Sequence, residues 1–346
     1  MKRVITNIIQ VIIFILIFMI IFIKINDILR VKVHTNDTIG SFYKERSDSI
    51  DVIFVGSSHA FSSFSPMELW DDYGITSYNL STGCQSLPCS YYLMKEAIRT
   101  QHPKVVVLET YASYYMTDYI STARVHQAID CIPLNQTKFE ILTDYLSDTM
   151  SVHERLEYVF PIALYHSRWK ELKKNDIRPK KTYLRGYYTQ LHINEQQEID
   201  LSDEVVEVYE KNISYIEKMI HLCEKNDVEL IMCQTPIAKN KDYKNICGRM
   251  KTIENYAVEQ GISYINYDKL RDILKLDYKV DFADSKHLNI IGASKTTSYM
   301  GDYLKTHYEL ADHRNETDYD NWVKDCEFYK KYIHQKKEEM LSQRNQ

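Results

Sequence analysis

The chain has no Cys-x-x-Cys pair, no block of basic residues, no internal repeat and no low-complexity run. The first absence removes the common zinc-site spacing from its seven cysteines, Cys84, Cys89, Cys131, Cys223, Cys233, Cys247 and Cys326. The second, with a net charge of -5, sets nucleic-acid binding aside. Cys223 and Cys233 lie in apolar runs and are expected as buried thiols. Cys84 and Cys89 could bridge one loop, though nothing in the sequence requires it. The 346 residues, 44% hydrophobic and 26% charged, suit one globular domain of about 250–300 residues with extensions. Twenty-eight tyrosines serve a wet groove as well as a core, since each ring carries a polar tip.

Polar residues are also scarce near the start. Residues 4–23 are almost wholly Ile, Phe, Leu, Met and Val from Val11 onward. Twenty helical residues reach roughly 30 Å, the thickness of a bilayer core. A cleaved signal peptide would have a shorter apolar run and a small-x-small site. Here Lys24-Ile-Asn-Asp-Ile-Leu-Arg30 follows instead, so residues 1–32 read as an uncleaved anchor with its flank. Lys2 and Arg3 on one side and Lys24, Arg30 and Lys32 on the other leave the charge count undecided on orientation. Residues 33–49 read as a polar tether.

The chain then turns on Asp51-Val-Ile-Phe-Val-Gly-Ser-Ser-His-Ala60. Val52 to Val55 read as a buried parallel strand closed by Gly56. Ser57, Ser58 and His59 follow directly. Ser65-Pro66-Met67-Glu68 is a capping-box signature for a helix that stops at Gly74. Serines at the carboxyl end of such a strand stand where open α/β sheets bind ligands.

Further strands are expected at residues 75–80, 104–109, 227–235 and 262–267. Helices are expected at 88–100, 202–226 and 247–260. Strands alternating with helices predict a three-layer α/β/α domain on a five-stranded parallel sheet, over residues 50–310. Between residues 111 and 203 the pattern weakens, which reads as an insertion covering or flanking the site. Tyr111, Tyr114, Tyr115 and Tyr119 cluster at its start, and a basic and aromatic stretch from Lys180 to Tyr188 follows within it. Residues 311–346 read as a charged peripheral helix with a frayed end and an apolar stripe of Trp322, Phe328 and Ile333.

Near the end of the domain, Asp281-Phe-Ala-Asp284-Ser-Lys-His287-Leu-Asn-Ile-Ile-Gly292 sets an acid three residues before a histidine. A helix with Ile290, Ile291, Ala293, Tyr299, Met300 and Leu304 as apolar positions follows. A Gly-x-Ser motif after the first strand and Asp-x-x-His before the last helix resemble the SGNH (GDSL-like) hydrolases. Gly56-Ser57-Ser58 behind a single anchor is similar to the envelope-modifying branch of that superfamily, which holds DltD-like teichoic acid proteins and polysaccharide O-acetyltransferases.

That resemblance implies a flavodoxin-like fold and an acyl-serine chemistry with no cofactor or metal. Acyl transfer needs a nucleophile, a base, a group that orients the base and donors for the oxyanion. The resemblance gives these roles to Ser58, His287 and Asp284, with Asp281 a weaker candidate acid. The Ser58 amide and Gly83 would form the oxyanion hole, Cys84 being the neighbour if the register slips by one. The family's asparagine in Gly-x-Asn-Asp after the third strand is missing; Glu109-Thr110-Tyr111-Ala112-Ser113 stands there. His166, Arg168 and Trp169 are candidate substrate contacts, since Arg beside Trp suits a sugar ring or a phosphate. Lys295 could face the site or solvent. The resemblance implies a domain on the extracellular face of the cell membrane, acting on a polysaccharide or teichoic acid by hydrolysis or transfer. A non-catalytic partner of a membrane-bound O-acyltransferase is the alternative.

Overall fold

The computed structural model describes residues 2–32, 37–117, 120–178 and 183–344. Tyr119, Lys180, Lys181 and Thr182 lie outside them, as do residues 33–36 of the expected tether. Five parallel strands, β1 Val52–Gly56, β2 Ser77–Ser81, β3 Val105–Glu109, β4 Glu229–Gln234 and β5 Ser263–Asn266, form one sheet in the order β2-β1-β3-β4-β5. This is a doubly wound order whose direction reverses at β1, so the exits of β1 and β3 open the crevice where such sheets bind ligands.

Alternation along each strand feeds two cores. Ile53, Val55, Val106, Leu108, Leu230 and Met232 pack with Leu93, Met94, Ala97 and Ile98 of the Leu87–Gln101 helix and with Met219, Ile220 and Cys223 of the Glu210–Lys225 helix. Val52, Phe54, Val105, Val107 and Ile231 pack on the other face with Leu69, Met300 and Leu304. The result is the expected three-layer α/β/α arrangement. All seven cysteines are free thiols, Cys84 and Cys89 included.

Local signals mark both ends of one helix. Ser65 caps the Pro66–Tyr73 helix by accepting from the Glu68 amide, and Gly74 closes it at φ 70°, a left-handed value glycine adopts without cost. The Glu210–Lys225 helix starts eight residues later than its apolar pattern suggests. Val206 instead donates its amide to the Gly248 carbonyl and accepts from Thr252 Oγ1 at 2.7 Å. The β-branched run Val205-Val206 thus lies extended along the Tyr243–Glu259 helix.

Two peripheral pieces depart from expectation. Residues expected in the tether include a short helix, Thr38–Phe42, whose Ile39 and Phe42 are buried in the main core. The C-terminal helix Asp320–Arg344 runs unbroken and buries Trp322, Cys326, Tyr329, Ile333 and Met340, at successive spacings of four, three, four and seven residues in helical register. Phe328, expected on that stripe, is exposed.

Among the described residues one N-terminal helix, Lys2–Leu29, is long and apolar enough to cross a membrane, and its apolar span is exposed for most of its length.

Candidate active site

Gly56 ends β1 directly beside Glu109, which ends β3. A Cβ at residue 56 would stand 2.7 Å from the Glu109 Cβ and 3.0 Å from the Ala60 Cβ, so only glycine lets the two strand exits approach this closely. Ser57 then caps a one-and-a-half-turn helix, Ser58–Ser63, by accepting from the His59 amide at 3.3 Å. The first residue inside that helix is Ser58, half-buried at the mouth of the sheet. This helix is not foreshadowed in the sequence, because its residues Ser58 to Ser63 carry little apolar periodicity.

The second part of the site comes from a braced loop. Asn289 caps the closing helix Ile290–His307 by accepting from the Ile291 and Gly292 amides. Its Nδ2 donates back to the carbonyls of Val280 and Phe282, at 2.6 and 3.3 Å, and Phe282 pairs with Leu288 as an antiparallel bridge. A Cβ on Gly292 would meet the Asp281 backbone and the Leu288 side chain, 2.9 Å from Leu288 Cδ2. Asp284 folds over this loop, its Oδ1 accepting from the Lys286 and His287 amides at 2.8 and 3.0 Å. Thr296 and Thr297 of the closing helix donate to the Ser63 carbonyl, and Thr297 Oγ1 accepts from the Ser65 amide. These bonds tie the two chain ends together.

Across this seam His287 Nε2 lies 2.8 Å from Ser58 Oγ, and His287 Nδ1 lies 2.9 Å from Asp284 Oδ2. Burial pushes the Asp284 carboxyl up, but its hydrogen bond to His287 and the amides on Oδ1 outweigh that and hold it below the usual carboxylate range. An ionised Asp284 accepts a hydrogen bond from Nδ1–H, which keeps the proton on Nδ1 and leaves Nε2 free to accept from the Ser58 hydroxyl. The His287 side chain is 19% exposed and that of Asp284 51%, so the seam opens to solvent on the acid's side.

Gly83 follows β2, whose Ser81 pairs with Gly56 of β1, so Gly83 and Ser58 leave the same end of neighbouring strands. The turn is rigid: Thr82 Oγ1 donates to Gln85 Oε1, and Gln85 Nε2 donates to the Leu80 carbonyl and Ser90 Oγ. Cys84 takes a left-handed φ of 54°. The Cα of Gly83 faces the guanidinium of Arg124, where a Cβ would stand 2.9 Å from Nη1.

Other expected contacts have different partners. Asp281 is buried and ion-pairs with Lys295 at 2.6 Å, which gives that lysine a structural partner rather than the site or open solvent. Arg168 donates to the Leu29 and Arg30 carbonyls at the end of the long N-terminal helix and pairs with Asp176 at 2.8 Å. His166 bonds the Ala163 carbonyl, and Trp169 is exposed beside Lys170. None of these three is bonded to Ser58, Asp284 or His287. An arginine beside a tryptophan served a helix end here, a role that sequence pattern alone cannot separate from sugar binding.

Three neighbours escaped the sequence reading. Glu109 is buried, and its carboxylate accepts from the Ser57 hydroxyl at 3.0 Å and from the Ser57 and Tyr111 amides at 3.3 and 2.6 Å. Burial pushes it up to about 7 against those three bonds. Tyr111 stacks on His59 at 3.6 Å between ring centroids, and His59 lies 5.1 Å from the His287 ring. Burial, then the adjoining His287 and Lys286, hold His59 well below its ordinary value, so its ring is neutral. An acid closing an apolar strand, and a histidine straight after Ser-Ser, were the available signals.

No protein-family model matches the chain, and no curated protein matches it. Among solved structures it is similar to one described as a "putative acylhydrolase" from Bacteroides fragilis, at 11% identity and a TM-score of 0.39, covering 80% of this chain and 99% of that one.

Proposed function

We propose that the protein is a membrane-anchored serine esterase or O-acyltransferase acting on O-acyl groups of a cell-envelope polysaccharide or teichoic acid, with its domain on the extracellular face. The observation that carries this reading is the continuous relay from Asp284 through His287 to Ser58, whose spacing and donor order suit nucleophilic acyl chemistry. Ser58 Oγ attacks the acyl carbonyl carbon while its proton passes to His287 Nε2. Asp284 stabilises the imidazolium. The Ser58 and Gly83 amides donate to the oxyanion, and collapse of the intermediate expels the alcohol, which takes the proton from His287. The acyl-serine is then attacked by water or by a sugar hydroxyl, again with His287 as base.

Support for transfer comes from the long apolar helix, since an anchored domain stays beside an immobile acceptor. The envelope polymer itself is drawn from the Gly56-Ser57-Ser58 and Asp284-x-x-His287 resemblance. The occupation of the usual third-donor position by Tyr111 favours a second reading, a non-catalytic partner of a membrane-bound O-acyltransferase; losing one oxyanion donor typically costs about 10²–10³ in rate. Release of p-nitrophenol from its acetate, with and without an acceptor glycan, tests both. Serine-dependent release supports an enzyme, and acetyl appearing on the glycan at the expense of free acetate supports transfer. Release equal in wild type and Ser58→Ala would leave only the partner reading.

A further inference from the structure

We infer that the insertion is a membrane foot: residues 152–177 sit in the lipid leaflet beside the anchor, with Phe160 at acyl-chain depth and Trp169 at headgroup depth. This rests on the reading of residues 3–29 as membrane-crossing, and on the way the insertion is fastened to them.

The fastening fixes depth. Phe160 packs edge-on against Phe22, with ring centroids 5.7 Å apart. Asn26 Oδ1 accepts from the Ile162 amide at 2.8 Å, and Arg168 covers the Leu29 and Arg30 carbonyls. Phe22 belongs to the continuous apolar run, which ends at Ile23. At 1.5 Å per residue, Leu29 stands only about 10 Å beyond Phe22. Whatever level of the bilayer holds Phe22 therefore also holds Phe160. Arg168 and Trp169 then stand about one headgroup layer further out.

The exposed chemistry suits that placement. Val152, Leu156 and Phe160 recur every four residues and are 66%, 45% and 38% exposed, an apolar stripe that protein covers only in part. Ile177 is 57% exposed, and Trp169, with Lys170 over its ring, is 66% exposed. An indole beside a lysine is the side-chain pair that the bilayer interface favours. Between the anchor and the foot lies a cavity of about 390 Å³, with Met19, Phe22, Ile23, Leu134, Val159 and Phe160 among its lining residues. Asp27, Arg30, Asp37, Lys44, Asp130 and Lys138 also line it, so it is the apolar side of the cavity that fits part of a lipid acyl chain. One helix, Thr122–Ile129, leads from Arg124 beside Gly83 to Asp130 at this cavity, so the foot also sets the height of the site above the lipid.

The test uses full-length protein in phosphatidylcholine vesicles whose acyl chains carry bromine, which quenches nearby tryptophan. Trp70 and Trp322 are buried, so in wild type Trp169 is the exposed indole. It should be quenched by bromine close to the headgroup and little by bromine deep in the chains. In a Trp169→Phe background, Phe160→Trp should lose most of its emission to mid-chain bromine and shift to the blue. Phe14→Trp reports the anchor, and Val258→Trp, exposed on the Tyr243–Glu259 helix, reports water. Phe160→Trp quenched no more than Val258→Trp, with Phe14→Trp quenched, would overturn the foot alone. An unquenched Phe14→Trp would overturn the anchor and the foot together, leaving the Ser58 chemistry to be judged by p-nitrophenol release.

Discussion

Ser58 and His287 are 229 residues apart in sequence and 2.8 Å apart in space. What joins them is a set of main-chain and threonine bonds between the first helix after β1 and the closing helix. Each element of that seam makes a prediction.

Removing a member of the relay should cost rate without costing fold. Ser58→Ala should lower kcat for ester cleavage by about 10³-fold or more, and Asp284→Asn, which disturbs the histidine tautomer, by about 10²–10⁴-fold. The double variant should be little worse than Ser58→Ala, because the groups act as a unit. Steady-state kinetics on the p-nitrophenyl ester, with circular dichroism as a fold control, checks this.

Glu109 makes stability depend on pH in a defined direction. Its folded value is pushed up to about 7, above the ordinary 4.5, so between those values the folded protein holds a proton the unfolded chain has lost. Its contribution is therefore fully present below about pH 4.5 and is lost as pH rises through 7. Linkage puts the full loss at about 3 kcal/mol. Glu109→Gln should flatten the fall in Tm between pH 5 and 8 relative to wild type, as read by thermal melts across that range.

Gly292→Ala should damage the site from a distance. The added methyl meets the Asp281 backbone and Leu288, so the loop carrying Asp284 and His287 must move. A loss of about 1–3 kcal/mol is expected from such overpacking. Urea unfolding should show that loss, and kcat at a temperature where the variant is folded should fall as well.

Lys295 and Arg168 should matter for structure and not for chemistry. Lys295→Met leaves the buried Asp281 carboxylate without its cation, at a cost of about 3 kcal/mol. Arg168→Ala frees carbonyls at the end of the N-terminal helix. In both variants kcat per folded molecule should stay at the wild-type value. A drop in kcat for Arg168→Ala alone would return that residue to the substrate-contact role its sequence neighbours suggested.

The sheet was legible because buried parallel strands are continuous apolar runs, and Val52–Gly56 and Val105–Glu109 are unmistakable ones. Ser65, Pro66 and Gly74 announced a helix with both ends marked. Ser58, Asp284 and His287 were readable as a pattern of types and order. Their meeting was expected through the family resemblance alone, since what brings it about is Thr296, Thr297 and Ser63 bonding across the fold. Local reading failed where tertiary partners overrode propensity. Val205 and Val206 joined a neighbouring helix instead of starting their own, and Ile39 and Phe42 found a core in what looked like a tether. Arg168 and Trp169 looked like a binding pair because sequence carries the chemistry of a side chain but not its address.

The central claim is that Ser58 is a nucleophile activated by His287. Intact-mass analysis after treatment with a fluorophosphonate, followed by peptide mapping, tests it most directly. One adduct is expected on Ser58, lost in His287→Ala although Ser58 is still present. Labelling that persists in His287→Ala at the wild-type rate, or an adduct on any other residue, would contradict it.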